Sequence, residues 1–182
     1  VSPVPLGVVL VGIVEDMMYS VRALGALDLP QVLTLNNEAV PAVNELDADA
    51  LAALVASAAH SVVVTSTADP ATVLGFVIGF APRAEYASEN YRWFGARSND
   101  FLYVDRIVVA PTARSGGLGQ VLYGSVFEAA RKAQAAEVFC EVNTFPPNPR
   151  SLAFHSRLGF TTIGEQSTKG DTVVVALLAA PV

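Results

Sequence analysis

Arg114-Ser115-Gly116-Gly117-Leu118-Gly119 lies between two segments of opposite periodicity, and its reading decides how the rest of the chain is arranged. Before it, residues 101–109 read FLYVDRIVV, a β-branched and aromatic run that predicts a strand ended by Ala110-Pro111. After it, Leu118, Leu122, Val126 and Ala129 recur at helical spacing and predict a helix over 117–134. Glycines let the backbone turn tightly and approach a ligand. The first N–H groups of the helix lack intrahelical partners and point outward with the positive end of its dipole. Residues Ser115, Gly116, Gly117, Leu118, Gly119 and Gln120 are therefore a candidate anion cradle, with Arg114 adding a charge-assisted contact or bracing the turn. Gln120-Val121 stands where a P-loop has Lys-Ser or Lys-Thr, and Leu122 stands where a dinucleotide fingerprint has its third glycine. A purely structural tight turn accounts for the same residues, and both readings stand at this point.

Working outward, Tyr19–Leu24 reads as a short strand ended by Gly25, and Asp28 caps a helix through Val32 and Leu35 that stops near Pro41. Asp47 starts a second helix carrying Leu51, Leu54, Val55 and Ala58 on one side. Residues 61–66 and 73–80 read as strands hairpinned through Asp69-Pro70. Residues 81–100 read as a long polar connection holding Tyr86, Tyr91, Trp93 and Phe94. Beyond the central helix come a strand at 137–142, a short helix from Asn148 to Leu158 closed by Gly159, and strands at 160–166 and 171–178 joined across Lys169-Gly170-Asp171. This order predicts a mixed α/β domain with a largely antiparallel first half; a doubly wound fold needs more regular alternation.

The chain has 182 residues, 52 % hydrophobic and 15 % charged, which fits one domain with its own core and excludes a disordered or collagen-like chain. A single cysteine, Cys140, excludes a disulfide framework and fits a cytoplasmic location. With His60 and His155 far apart, no metal site is expected. The net charge of −6 argues against nucleic acid as a partner, and no apolar run reaches the roughly 20 residues of a membrane span. Charge is unevenly placed. Residues 1–100 carry a net of −7 and residues 101–182 a net of +1, so an anionic ligand meets less repulsion in the second half. Residues 1–16 read as a loosely attached N-terminal segment ahead of a single domain at 17–182; they lack the charged start and cleavage site of a secretory signal.

The spacing Arg114-x-x-Gly117-x-Gly119 after Val109-Ala110-Pro111 resembles the acetyl-coenzyme A motif of the GNAT N-acetyltransferase superfamily. The segment from Asn148 through Ser151 and His155 to Gly159-Phe160 resembles that family's second motif. The resemblance implies a mixed, mostly antiparallel sheet of six to seven strands with about four helices. It further implies a bulge in the strand at 101–109 and splaying of that strand from the one at 137–142. The pantetheine arm of acetyl-coenzyme A is then expected along the backbone of Ile107, Val108 and Val109, its pyrophosphate on 114–119, and Asn148 and Ser151 beside the arm. The implied activity is transfer of an acetyl group to a primary amine of a small molecule or peptide by direct attack in a ternary complex. The protein would act as a monomer or homodimer. The alternative is a non-catalytic acyl-coenzyme A sensor that kept the cradle and lost the chemistry.

Acetyl transfer to an amine needs a proton acceptor for the amine and a donor for the departing sulfur. The resemblance implies a tyrosine four residues before the second motif's glycine, and His155 stands there instead; it is either the proton donor, a substrate contact or a structural residue. For the base, Glu141 resembles a strand glutamate used by some family members. Asp105 interrupts an apolar strand, where an unpaired acid is costly. Strict alternation places Asp105 on one face with Tyr103 and Ile107, opposite Arg106. The acceptor wall is expected from Asn36, Asn37 and Glu38 and from the aromatics Tyr86, Tyr91, Trp93 and Phe94, of which Trp93 and Phe94 serve equally well as core anchors. Cys140 reads as a small buried hydrophobe.

Overall fold

Among the described residues, the β-branched and aromatic runs build one sheet of eight strands. The computed structural model describes residues 9–14 and 17–182. The strands are β1 (Val9–Val14), β2 (Met17–Ala23), β3 (His60–Ser66), β4 (Val73–Phe80), β5 (Phe101–Val109), β6 (Glu137–Phe145), β7 (Thr161–Thr168) and β8 (Val173–Pro181). The helices are α1 (Leu29–Glu38), α2 (Ala48–Ser57), α3 (Glu89–Arg97), α4 (Leu118–Lys132) and α5 (Pro149–Arg157). The sheet order is β1-β2-β3-β4-β5-β6-β8-β7, antiparallel throughout except for the parallel β5–β6 pair. Strand β1 lies within the segment read from sequence as loosely attached and pairs along the edge of β2; the rest of residues 1–16 lies outside the described residues.

Local chemistry sets the helix starts. Asp47 accepts from Ala50 N at 2.8 Å to begin α2, Ser88 accepts from Tyr91 N at 3.2 Å to begin α3, and Asn148 accepts from Ser151 N at 3.2 Å ahead of Pro149 to begin α5. Helix α3 corrects the reading of residues 81–100 as one long polar connection. Two buried positions in nine residues, Tyr91 and Phe94, gave too short an apolar stripe to be seen. Helices α4 and α5 cover one face of the sheet through Leu118, Leu122, Tyr123, Val126 and Phe154, and α1, α2 and α3 cover the other through Val32, Leu51, Leu54, Tyr91 and Phe94.

Two irregularities at the sheet centre make the site. The β5–β6 ladder holds three pairs, Phe101↔Glu137, Leu102↔Val138 and Tyr103↔Phe139, after which the strands part; beyond that β5 pairs with β4 and β6 with β8. In the β4–β5 ladder, Gly79 pairs with Val104 and Ile78 with Arg106, so Asp105 is the extra residue of a bulge. The bulge overturns the strict alternation expected for this strand. Arg106 joins Asp105 on the α1 side, and Ile107 turns to the α4 side with Val104.

Candidate active site

The turn that follows β5 leaves its amides free. Ala110 N donates to Leu74 O at 2.8 Å and Ala113 N to Ala110 O at 2.9 Å, fixing the exit of the strand. Ser115 (φ 72°) and Gly117 (φ 75°) then take left-handed conformations that reverse the chain into α4. Gln120 N is the first amide of the helix to find a partner, Gly117 O at 2.9 Å. Among the described residues, the N–H groups of residues 115–119 make no hydrogen bond. Five unpaired donors thus form a surface at the positive end of a fifteen-residue helix, the donor set expected from the sequence. Gly119 has a packing reason to be glycine, since a Cβ there would lie 2.8 Å from the Phe154 ring of α5.

This surface opens into a groove of about 800 Å³ that runs through the gap between β5 and β6. Residues 107–109, 114, 115 and 117–120 line it, with Asn148, Ser151 and Glu38; Gly116 does not. Where the strands part, the backbone of β5 toward the gap and that of β6 facing it have no ladder partner. A second, polar cavity of about 340 Å³ lies on the α1–α3 side, bounded by Tyr86, Asn90, Asn143 and Lys169. Asp105, Arg106 and Glu141 line both spaces, so the two meet at these side chains.

Glu141 points to the α3 side of β6. Its Oε1 accepts from Tyr103 OH at 2.9 Å, and its Oε2 is buried without a hydrogen-bond partner among the described residues. Burial, joined by the charge of Asp105, pushes its pKa up to about 8 against the pull of Asn90, Tyr103 and Arg106. Asp105 is differently placed. One oxygen accepts from Tyr86 OH, the other pairs with Arg106 Nε at 2.7 Å, and Arg106 in turn donates to Asn36 Oδ1 at 2.8 Å. The acid that looked costly in the sequence is thus neutralised and held by three parts of the chain.

His155 is buried between α4, α5 and β7's start. Its Nδ1 lies 2.8 Å from the Ser151 carbonyl, which can only accept, so Nδ1 carries the hydrogen and Nε2 is left as an acceptor. Tyr123 OH donates to that Nε2 at 2.7 Å. Burial lowers the pKa of His155, so the neutral imidazole is the form this environment favours. The sequence assigns no role to Tyr123, because its hydroxyl matches no motif position. A hydroxyl on the buried stripe of an amphipathic helix was the signal that marked it.

The expected acceptor residues divide. Tyr86 lines the smaller cavity and Glu38 the groove. Asn36 and Asn37 line neither: Asn36 Nδ2 donates to Asn44 O and Asn37 bonds both ways with the Leu46 backbone, clamping the α1–α2 loop. Tyr91 latches the start of 81–88, donating to Ala81 O and accepting from Ala84 N. Phe94 stacks on Phe139 at 4.6 Å, and Trp93 covers Gly164 of β7. These three pack the core. Cys140 is buried on the α4 side, where burial drives its thiol pKa upward.

The sequence profile of the acetyltransferase (GNAT) family matches residues 30–160, most of the chain and the whole of both cavity-forming strands. The chain belongs to the GNAT acetyltransferase family. Solved structures similar to this GNAT N-acetyltransferase include Ard1 from Thermoplasma volcanium, with a TM-score of 0.73 and 16 % identity over 90 % of this chain and 97 % of that one. The ribosomal-protein-S18-alanine N-acetyltransferase from Escherichia coli has a TM-score of 0.67 and 17 % identity over 90 % and 94 %. The ribosomal-protein-alanine N-acetyltransferase from Brucella melitensis has a TM-score of 0.66 and 20 % identity over 89 % and 99 %. No curated protein matches the sequence. At these identities the likeness is one of fold. Among the described residues, no helix of the acetyltransferase is long and apolar enough to cross a membrane.

Proposed function

We propose that this acetyltransferase moves an acetyl group from acetyl-coenzyme A to a primary amine that enters from the smaller cavity, both substrates being bound together. The observation that carries the reading is the continuity of the groove: unpaired amides at one end, unpaired strand backbone along its middle and Glu141 at the junction with the second cavity. Acetyl-coenzyme A, when bound, supplies the activated thioester. The amides of 115–119 would hold its diphosphate, Arg114 would add charge, and Ile107 to Val109 would pair with the amide-bearing arm as an added strand does. Asn148 caps α5 and Ser151 sits on that helix's first turn, so both shape the groove wall.

Glu141 is the proton acceptor in this reading. Its free oxygen and raised pKa suit a base that works near neutral to mildly alkaline pH. Asp105 fixes Arg106 and Tyr86 and so shapes the acceptor side without having an oxygen to spare. His155 lines the groove with its acceptor nitrogen engaged by Tyr123.

Calorimetry tests the cradle. Acetyl-coenzyme A is expected to bind, and S-acetylpantetheine, which lacks the phosphates, to bind about 100-fold more weakly because it forgoes several charge-assisted hydrogen bonds. Equal affinities overturn the phosphate assignment. A panel of amines assayed for release of free coenzyme A then tests transfer, and turnover with none of them overturns it.

A further inference from the structure

The smaller cavity, about 340 Å³ and lined mainly by polar side chains, is at the low end of ligand-pocket sizes and suits a small hydrophilic molecule. Five charged side chains line it: Glu89, Asp105, Arg106, Glu141 and Lys169. Four of them are already answered. Asp105 and Arg106 pair with each other at 2.7 Å. Glu141, at the junction with the groove, keeps its proton up to about pH 8. Glu89 lies in the first turn of α3, where the positive end of the helix offsets its charge. Lys169 is exposed, and among the described residues it forms no ion pair. Its place is fixed by the hairpin that joins β7 to β8. Its backbone is left-handed (φ 53°), its carbonyl accepts from Thr172 Oγ1 at 2.8 Å, and Thr168 just before it is buried. The same hairpin is tied to α3, because Gln166 Nε2 donates to Asn90 Oδ1 at 2.9 Å. A left-handed turn position favours Asn or Gly, so the turn does not call for a lysine there.

We infer that the acceptor is a small amine that also carries a carboxylate, and that Lys169 selects it by binding that carboxylate. The inference rests on the transferase reading above. The amine nitrogen then sits at Glu141, and the body of the molecule crosses the cavity toward the β7–β8 turn. The Lys169 ammonium and the carboxylate form a charge-assisted hydrogen bond at the far end. Arg106 does not take that part, because its guanidinium is held by Asp105 and Asn36. An amine without an anionic group gains nothing from Lys169, and a diamine meets it as a like charge. Selection is thus set at the end of the acceptor remote from the bond that forms, by a residue that takes no part in the proton transfers.

The test compares carboxylates with their neutral isosteres. Glycine, β-alanine and γ-aminobutyrate are assayed for release of free coenzyme A beside glycinamide, β-alaninamide and γ-aminobutyramide, with putrescine as the diamine, in wild type, Lys169→Gln and Lys169→Glu. For the best of the three lengths, the wild type is expected to prefer the carboxylate over its amide by about tenfold in kcat/KM, the size of a hydrogen bond to a charged group. Added salt is expected to narrow that preference, because Lys169 is exposed. Lys169→Gln is expected to abolish it, and Lys169→Glu to turn it toward putrescine, with kcat on the neutral amides unchanged. Calorimetry gives a readout free of turnover: N-acetyl-γ-aminobutyrate is expected to bind the coenzyme A complex about tenfold more tightly than N-acetyl-γ-aminobutyramide, and equally to it in Lys169→Gln. A wild type that accepts the amides as well as the carboxylates overturns the inference alone, as does a folded Lys169→Gln that keeps the preference. A peptide beginning with an acidic residue is run beside them, and faster transfer to it than to any free amino carboxylate overturns the assignment of a small acceptor. Release of coenzyme A with none of these amines overturns the transferase reading with it. The wild-type comparison decides the matter even if a variant does not fold.

Discussion

As the base proposed above, Glu141 would owe its readiness to burial and to one missing hydrogen bond. Of its two oxygens, one is held by Tyr103 and the other is buried and bare, which keeps the charged form expensive until an amine arrives. Two expected outcomes follow. Glu141→Gln should lower kcat by about 10²- to 10⁴-fold and remove the rise of rate expected of the wild type as pH passes through about 8, read in a pH–rate profile. The same raised pKa has a stability sign. A carboxyl whose folded pKa lies above its unfolded value binds more protons in the native state, so its stabilising share is complete below the unfolded pKa and is lost as pH rises through about 8. Glu141→Gln should therefore raise Tm at about pH 9 relative to wild type and change it little at about pH 5, measured by thermal denaturation. At this scale the sequence was half legible. Glu141 could be named from its strand, but Tyr103 and Arg106 reach it only after the strands are laid side by side. His155 drew notice through its motif position, whereas Tyr123, to which it is hydrogen-bonded, matches no motif position.

The bulge in β5 shows what periodicity cannot read at the level of an element. One extra residue moves Arg106 across the sheet, and its guanidinium then joins Asp105 to Asn36, seventy positions earlier in the chain. No local pattern encodes such a partner. The pair is nearly dry, with side chains 5 % and 6 % exposed, so removing one member strands the other's charge. Arg106→Met should cost about 3–5 kcal/mol in urea denaturation. The double change Arg106→Met with Asp105→Leu should cost clearly less than the sum of the single changes, because neither charge is then left alone. Helix α3 is the complementary lesson. Its start signal, Ser88 ahead of Glu89, was present in the sequence, but a stripe of two residues was too little to separate it from the loop around it. The long β-branched runs at 61–66, 73–80 and 101–109 had no such competitor and were read correctly.

Across the whole molecule, the order of strands and helices, β1 and α3 apart, followed from turn and cap chemistry, whereas the parting of β5 from β6 came into view through the family resemblance and not through composition or spacing. The asymmetry of charge agrees with the layout: the turn of unpaired amides, β6 and α5 all belong to the near-neutral half of the chain, and the acidic half supplies α1, α2 and α3. The three-rung ladder between β5 and β6 also divides the backbone network into two blocks, β1 to β5 and β6 to β8, sewn together along a very short seam. A ligand laid into that opening becomes the thread for its unstitched length. Deuterium exchange should register this directly: on adding coenzyme A, amides of residues 106–109 should slow, whereas those of β3, already enclosed by neighbours on both sides, should keep their rates. The molecule would thus complete its own sheet only at the moment it is ready to work.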